Sequence, residues 1–330
     1  MNPKVKSWLS NTLKIGLAAA LIVHLVRGGK IDPAQLKILL TGSNVLFCLG
    51  LVAFSFILAS ERWRAILDSQ NFRLTVWESL KLTLVGVFFN FAIPGGVGGD
   101  LVKGYYLAKS NTGRRFQSVI TIILDRVIGL SAMSFMAAIA LFYDFDFIWA
   151  HENLHILAFV LLSLMIIFLV SWSAGFSSHL RHSKRLHKMA LKVPGHHRIF
   201  QLWDAILAFR NHKTQLFKAF GYSFVGQIAS IWVFVQSGEL LGYHLPLHVY
   251  FVVVPIGFMI TAIPISPAGI GIGQAAFLFL FNVFQGAENN LGATAVTAMQ
   301  ACSLAWGIVG AVIYISMKGV RSSDIQTQPT

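Results

Sequence analysis

Charged residues are scarce in this chain. They make up 12% of its 330 residues, about half the share found in soluble domains. Hydrophobic residues make up 55%. Apolar runs approach the roughly 20 residues that cross a bilayer, for example at residues 45–60, 118–143, 154–172, 217–241 and 291–317. This composition argues against a soluble domain and predicts an all-α polytopic membrane protein.

Cysteine is nearly absent as well. Cys48 and Cys302 lie in separate apolar runs, so they provide neither a disulfide framework nor a metal-binding spacing, and we expect small buried side chains. No P-loop or dinucleotide-binding fingerprint occurs, so no cofactor is expected. No secretory cleavage pattern follows the apolar run after Lys4, Lys6 and Lys14, so this run is predicted to be a retained first helix.

Lysine and arginine are missing from residues 219–317, although the net charge is +13, and eight of them lie within residues 179–213. This distribution argues against nucleic-acid binding and fits a basic loop at the cytoplasmic face. There the loop would contact an anionic lipid surface. From this placement we predict that both termini are cytoplasmic and that residues 28–42 lie outside, despite Lys30 and Lys37. The sequence indicates no oligomeric state.

Two segments contain Pro/Gly clusters between apolar runs. Residues 74–107 have basic flanks on both sides, and residues 249–284 lie between connections that lack Lys and Arg. Each segment must therefore enter and leave the membrane on one side. We predict two re-entrant hairpins of half-helices, one from each face, together with about six full spans. Irregular backbone at membrane depth requires surrounding protein or water.

The two halves of this single transmembrane domain share an order of elements. Residues 1–143 and 154–317 each contain two spans, a hairpin and a third span, in opposite orientations. Ala92-Ile93-Pro94 in the first hairpin corresponds to Ala262-Ile263-Pro264 in the second. The pattern predicts an inverted repeat, in which interrupted segments mark the substrate site of a transporter. Eight ordinary helices, two of them kinked by proline, are the alternative.

The hairpin tips carry the chemistry that could bind an anion. Pro94 is expected to end the first half-helix, and the returning half-helix to begin near Asp100. Glycine leaves backbone N–H groups uncovered, and at a helix N-terminus such groups bind phosphate. Lys103 would add a full charge. The glycines concerned are Gly95, Gly96, Gly98 and Gly99 at the first tip and Gly269, Gly271 and Gly273 at the second.

Asp125 and Arg126 lie roughly 14 Å along their helix from Phe116, at about 1.5 Å per residue, and hence near mid-membrane. Charges at that depth usually mark a substrate pathway, and an ion pair that only locks the helix bundle is the alternative. Because adjacent side chains diverge by about 100°, each needs a partner elsewhere. We predict Asp100 for Arg126 and Lys103 for Asp125. Asp100 would also suit an N-cap.

Other polar residues receive structural interpretations. Asn90 is expected to be a backbone partner. Glu61-Arg62-Trp63-Arg64 is interpreted as an anchor of the second span at the inner interface. Gln227 and Gln236 are expected to form hydrogen bonds between helices.

Four motifs together carry a family resemblance: Arg62-Trp63-Arg64, then Phe89-Asn90-x-x-x-Pro94-Gly95-Gly96-x-Gly98-Gly99-Asp100, then Asp125-Arg126-x-x-Gly129-Leu130, and finally Pro264-x-Ser266-Pro267-x-Gly269-x-Gly271. The chain resembles the flippase-like integral membrane family related to the membrane domain of lysylphosphatidylglycerol synthase, also called the UPF0104 group. The resemblance covers most of the chain.

The resemblance implies a bacterial inner-membrane transporter for a phosphate-bearing lipid, of the aminoacyl-phospholipid or polyprenyl-phosphate type. This chain departs from the family at two positions. Family members often have Arg where Lys103 stands, and the bidentate phosphate contact of an arginine is lost with lysine. They often have an acidic residue where Gln274 stands, so proton coupling through the second hairpin is not implied for this chain. The candidate substrate-binding residues are Asn90, Pro94, Gly95, Gly96, Gly98, Gly99, Asp100, Lys103, Asp125, Arg126, Pro264, Ser266, Pro267, Gly269, Gly271 and Gln274.

Two other functions remain open: a membrane enzyme acting on a lipid-phosphate carrier, and a non-transporting membrane partner that docks through the basic loop. No nucleophile–base pair or loop-facing acidic pair is evident, and Asp100 with Asp125 is the one acidic pair that an enzyme would have. No synthase-sized soluble domain follows Met317, so aminoacyl transfer by this chain alone is not expected. We therefore expect a transporter rather than an enzyme.

Overall fold

The computed structural model describes residues 23–93, 96–143, 149, 152–177, 200–201, 203–204, 206–207, 212–285 and 289–317. These residues form helices and turns and contain no strand. Most of the predicted first helix, most of the basic loop at 179–213 and the C-terminal residues after Met317 lie outside the described residues. So do Pro94 and Gly95.

Ten helices are numbered here in chain order, with one-turn 3₁₀ helices at Thr112–Arg114 and Pro267–Gly269. They are α1 (Pro33–Leu39), α2 (Gly42–Ser69), α3 (Val76–Ala92), α4 (Gly98–Ser110), α5 (Arg115–Tyr143), α6 (Glu152–Gly175), α7 (Lys213–Leu240), α8 (Leu247–Thr261), α9 (Ile272–Gln285) and α10 (Leu291–Met317).

Six helical segments are long and apolar enough to cross a membrane: Gly42–Ser69, Arg115–Tyr143, Leu154–Gly175, Lys213–Leu240, Pro267–Gln285 and Leu291–Met317. Five correspond to predicted spans, and the sixth, Pro267–Gln285, belongs to the predicted second hairpin. The all-α, multi-pass membrane architecture is confirmed. The re-entrant course of α3–α4 and of α8–α9 stays a prediction, because length and composition do not locate the membrane surfaces.

The first predicted hairpin is built as two helices with sharp ends. Thr75 and Glu78 form a capping box at the start of α3, in which the Glu78 carboxylate accepts from the Thr75 N–H at 2.8 Å. The helix ends at Ala92, and Ile93 is extended, with φ −105° and ψ 121°. A residue before proline disfavours the helical conformation, so the helix stops before Pro94 as the sequence predicts.

The packing partners of the helices fall into matching sets. Helix α2 packs against α7. If α2, α3, α4 and α5 are taken as counterparts of α7, α8, α9 and α10, the contacts correspond. The contact of α3 with α10 then matches that of α8 with α5, and the contact of α4 with α5 matches that of α9 with α10. The helices of the first set, α2–α5, start at residues 42, 76, 98 and 115, and those of the second set, α7–α10, at 213, 247, 272 and 291. The spacing between counterparts is therefore nearly constant along both sets.

Glycines allow the closest helix contacts. A β-carbon at Gly310 of α10 would overlap the backbone carbonyl of Leu84 in α3, and one at Gly257 of α8 would overlap the Phe277 ring. That ring stacks on Phe234, with centroids 4.7 Å apart, in the core between α7, α8 and α9. The backbones of α3 and α10 thus touch without intervening side chains.

We predict that Gly310→Ala lowers the free energy of unfolding in detergent by about 1–3 kcal/mol, because the added methyl group meets backbone that cannot rotate away. Gly221→Ala in α7 is the matched control, since a β-carbon there meets nothing within 4 Å. It should be neutral or stabilising by up to about 1 kcal/mol. Denaturant unfolding of the two purified variants tests this, and equal stabilities would contradict the close approach of α3 and α10.

Candidate functional site

The two predicted tips meet in the structure. Gly96, between α3 and α4, has a left-handed conformation with φ +62°. A β-carbon there would lie 3.7 Å from the carbonyl oxygen of Ser266, at the start of the 3₁₀ turn between α8 and α9. The connection of the first helix pair therefore lies against that of the second, and side chains from both tips border one region.

The glycines that open α4 pack it closely against α3. A β-carbon at Gly98 would overlap the carbonyl oxygen of Phe89, and one at Gly99 would lie 2.6 Å from that of Gly86. Asn90 accepts a hydrogen bond from the Gly99 N–H at 2.8 Å and is thus the expected backbone partner. The predicted open row of amides is wrong at Gly98 and Gly99, since helix packing covers them. Helix α4 begins at Gly98, two residues before Asp100 and therefore near it as predicted.

Asp100 pairs with Arg126, as predicted. Arg126 donates from Nε to the Asp100 carboxylate, and its Nη2 lies 3.5 Å from the Gly96 carbonyl oxygen. The N-cap interpretation of Asp100 is wrong, because Val97 occupies that position without a side-chain cap. The Arg126 side chain is 38% exposed and the Asp100 side chain 27%, so a ligand can reach this ion pair.

Asp125 pairs with Arg62 instead of Lys103, so that prediction is wrong. Arg62 Nε lies 2.7 Å from Asp125 Oδ1, and Nη2 lies 3.1 Å from Oδ2, a bidentate arrangement. Gly129, one turn after Asp125, leaves the space that the guanidinium needs. A β-carbon there would lie 3.2 Å from Arg62 Nη1. Arg62 therefore joins α2 to α5, and its placement at the inner membrane interface stays a prediction.

Lys103 is buried, with 8% of its surface exposed, and its ammonium lies 4.9 Å from the centroid of the Trp63 ring. It interacts electrostatically with Asp125 and Asp100 but forms no hydrogen bond or ion pair with any residue that the structure describes. A cation over an aromatic face is stabilised, although less than one paired with a carboxylate. This set, called the charge cluster, contains three cations and two carboxylates: Arg62, Lys103, Arg126, Asp100 and Asp125.

A cavity of about 430 Å³ lies next to the charge cluster, within the size range of small-molecule sites. Gly96, whose carbonyl contacts Arg126, lines it at one tip, and Gly269 lines it at the other. Helices α2, α3, α5, α7, α8 and α10 complete its wall. Its polar lining consists of Asn90, Gln227, Ser230, Thr261, Gln300 and Ser303.

The family model described as the lysylphosphatidylglycerol synthase TM region matches residues 11–311. The chain belongs to this family. The resemblance drawn from the four motifs is confirmed, and a lipid-related membrane protein fits it. No curated protein was found to match the chain.

The family motifs form one structural unit. Arg62-Trp63-Arg64 supplies the partner of Asp125 and the ring under Lys103, and Gly129 of the Asp125-Arg126 motif makes room for Arg62. Arg62 and Trp63 are the functional candidates that sequence reasoning missed. The sequence did contain a signal for Arg62: in an apolar chain, the charged motif Arg62-Trp63-Arg64 needs partners as much as Asp125-Arg126 does.

Gln274 stabilises the second tip of this family member. Its Oε1 accepts from the Gly271 N–H at 2.7 Å, and its Nε2 donates to Gln300 Oε1 at 2.6 Å and to Thr297 Oγ1 at 3.1 Å. Gln300 in turn donates to the Ala268 carbonyl at 3.2 Å. Gln274 therefore holds the turn rather than lining the cavity.

The remaining predicted residues of the second tip are spread around the turn. Gly269 and Gly271 have left-handed backbones, with φ +72° and +84°. Pro264 is exposed, and Pro267 begins the 3₁₀ turn. Ser266 is buried, and its hydroxyl finds no hydrogen-bond partner in the described part of the chain.

We predict that Arg62→Gln and Asp125→Asn each lower the free energy of unfolding by about 3–5 kcal/mol, because each leaves one buried charge without its partner. The double variant should lose clearly less than the sum. A double-mutant cycle measured in detergent checks this. Arg64→Gln is the control, since Arg64 pairs with Glu61 near the surface at 2.5 Å and should cost about 1 kcal/mol or less. Additive single effects would contradict the pair.

Proposed function

We propose that this protein is a flippase-like transporter that moves a phosphate-bearing lipid across the bacterial cytoplasmic membrane. The lipid is of the aminoacyl-phospholipid or polyprenyl-phosphate type. The observation that carries the proposal is the charge cluster with one excess cation, placed where the two tips meet and beside a cavity. A structural role accounts for the two ion pairs, whereas an anionic substrate would supply the partner that Lys103 lacks among the described residues.

The phosphate would bind between Arg126 and Lys103. Arg126 is the more exposed partner of its ion pair, and its guanidinium has five donors that one carboxylate cannot occupy. Lys103 has no carboxylate partner among the described residues. A phosphate that contacts both residues would neutralise the excess charge and gain hydrogen bonds to charged groups, while the acyl or prenyl chains stay in the lipid.

The packing of the helices supports an inverted repeat for this transport. Contacts of the first set have counterparts in the second, and the two tips lie together where repeats of this kind place the substrate. The two re-entrant tips would open in turn to the two faces. In this topology both termini and the basic loop at 179–213 are cytoplasmic, and the loop contacts anionic lipid.

We predict that purified protein in liposomes moves one class of lipid from a panel containing an anionic phospholipid, an aminoacylated phospholipid and a polyprenyl phosphate. Arg126→Ala and Asp100→Asn should each slow that movement at least about tenfold, because charge-assisted hydrogen bonds are lost. Arg115→Ala is the matched control, since Arg115 lies on the same helix but is exposed and outside the cluster. It should move lipid at the rate of the unmodified protein.

Unchanged transport by Arg126→Ala would overturn this mechanism. Metal-dependent turnover of a lipid-linked sugar would replace the transporter with an enzyme. Loss of the cellular phenotype on trimming residues 181–198, with the tips intact and lipid movement unaffected, would indicate a partner protein that docks through the basic loop.

A further inference from the structure

The cavity between the tips is uncharged throughout. None of the residues that line it is Asp, Glu, Lys, Arg or His. Its immediate neighbour is the charge cluster, which carries one excess positive charge. A cationic group placed in the cavity would therefore find no carboxylate in its lining to offset the loss of water around its charge.

Gln227 is the unusual member of the lining. It is 6% exposed, and its buried Nε2 has no hydrogen-bond partner in the described part of the chain. The expectation that Gln227 bonds to another helix is therefore wrong, in contrast to Gln274 and Gln300, whose amides are hydrogen-bonded. A buried amide without a partner is costly, so its presence in a cavity wall points to a ligand that completes it.

The other polar groups of the lining define what that ligand must offer. Three hydroxyls donate to carbonyls of their own helices, Ser230 to Gly226, Ser303 to Met299 and Thr261 to Phe258, at 2.8 to 3.1 Å. The oxygens of Ser303 and Thr261 thus remain available as acceptors, whereas the Ser230 oxygen lies 3.3 Å from the Ser55 hydroxyl. The amide of Gln227 supplies a donor and an acceptor. A group that both donates and accepts hydrogen bonds without carrying charge matches this wall, and hydroxyl groups do so.

We propose that this cavity receives the uncharged, hydroxyl-bearing part of a lipid headgroup whose phosphate contacts the charge cluster. The inference rests on the proposed function, and among phosphate-bearing lipids it favours glycerol-phosphate or sugar-phosphate headgroups over aminoacylated ones. The phosphate provides affinity at Arg126 and Lys103. The cavity provides selectivity, because its neutral lining accepts hydroxyls and rejects an ammonium.

Lipid retention by the purified protein in native mass spectrometry tests the selectivity without requiring transport. The probes are phosphatidylglycerol, a glycosyl polyprenyl phosphate, lysyl-phosphatidylglycerol and phosphatidic acid, which has the phosphate but no hydroxyl-bearing group. We expect about tenfold stronger retention of at least one of the first two than of the last two, the equivalent of one or two hydrogen bonds. The comparison of phosphatidylglycerol with the glycosyl polyprenyl phosphate distinguishes a preference for a glycerol headgroup from a preference for a sugar headgroup.

Two substitutions at Gln227 sharpen the test. Gln227→Leu should remove the preference for the hydroxyl-bearing lipid and leave phosphatidic acid retained, which also shows that the variant is folded. Gln227→Glu should shift the preference towards lysyl-phosphatidylglycerol by placing a carboxylate in the wall. Gln236→Leu and Gln236→Glu are matched controls, because Gln236 lies on the same helix outside the lining. They should bind all four lipids as the unmodified protein does.

Equal or stronger retention of lysyl-phosphatidylglycerol by the unmodified protein would overturn the inference, as would an unchanged preference in Gln227→Leu. These failures are distinct from failure of the transporter proposal. Movement of lysyl-phosphatidylglycerol in liposomes would support transport and overturn the selectivity. Selective retention of a hydroxyl-bearing lipid without movement of any lipid would support the headgroup site and overturn transport.

Discussion

The bidentate ion pair between Arg62 and Asp125 is the contact on which the geometry of the site depends. It joins α2 to α5 deep in the helix bundle. Because Trp63 follows Arg62, the same contact fixes the ring over which Lys103 lies. Because Arg126 follows Asp125 and points about 100° away around the helix, it reaches Asp100 at the first tip. The neighbouring residues Arg62 and Trp63 in α2 and Asp125 and Arg126 in α5 thus connect these two helices to the first tip.

The two ion pairs account for four of the five charges in the cluster but not for Lys103. Two bidentate or charge-assisted pairs roughly offset the desolvation of their own charges, and apolar residues of similar volume would often stabilise the bundle as well. Lys103 has no ion-pair partner among the described residues: the Trp63 ring lies against its ammonium, and Asp125 and Asp100 attract it only at longer range. A third cation in this position weakens the fold unless an anion arrives. The excess charge therefore points to a substrate more directly than the pairs do.

The sequence predicted what local spacing determines. The helix that ends before Pro94 and the pairing of Arg126 with Asp100 followed from backbone rules and helix geometry. The partner of Asp125 did not follow, because Lys103 and Arg62 are both cations on neighbouring helices. The missing side chain at Gly129 decides between them, and its effect appears only when α2 lies against α5. In the same way, nothing local distinguishes Gln227 from Gln274, since both are glutamines in apolar helices and differ only in their three-dimensional neighbours.

The glycines of the first tip show a further limit of local sequence. A run of glycines before a helix suggests free amides, but Gly98 and Gly99 are required by the close approach of α3, where Gly86 is the complementary residue. The two tips consequently differ in how they are held. Charges hold the first through Arg126, Asp100 and Gly96, whereas neutral amides hold the second through Gln274 and Gln300. In the proposed mechanism, an anion that binds the remaining donors of Arg126 would compete with the Gly96 carbonyl, where the tips meet. In the proposed transport, substrate binding would therefore loosen the first tip and leave the second intact, so that the tips separate in a fixed order.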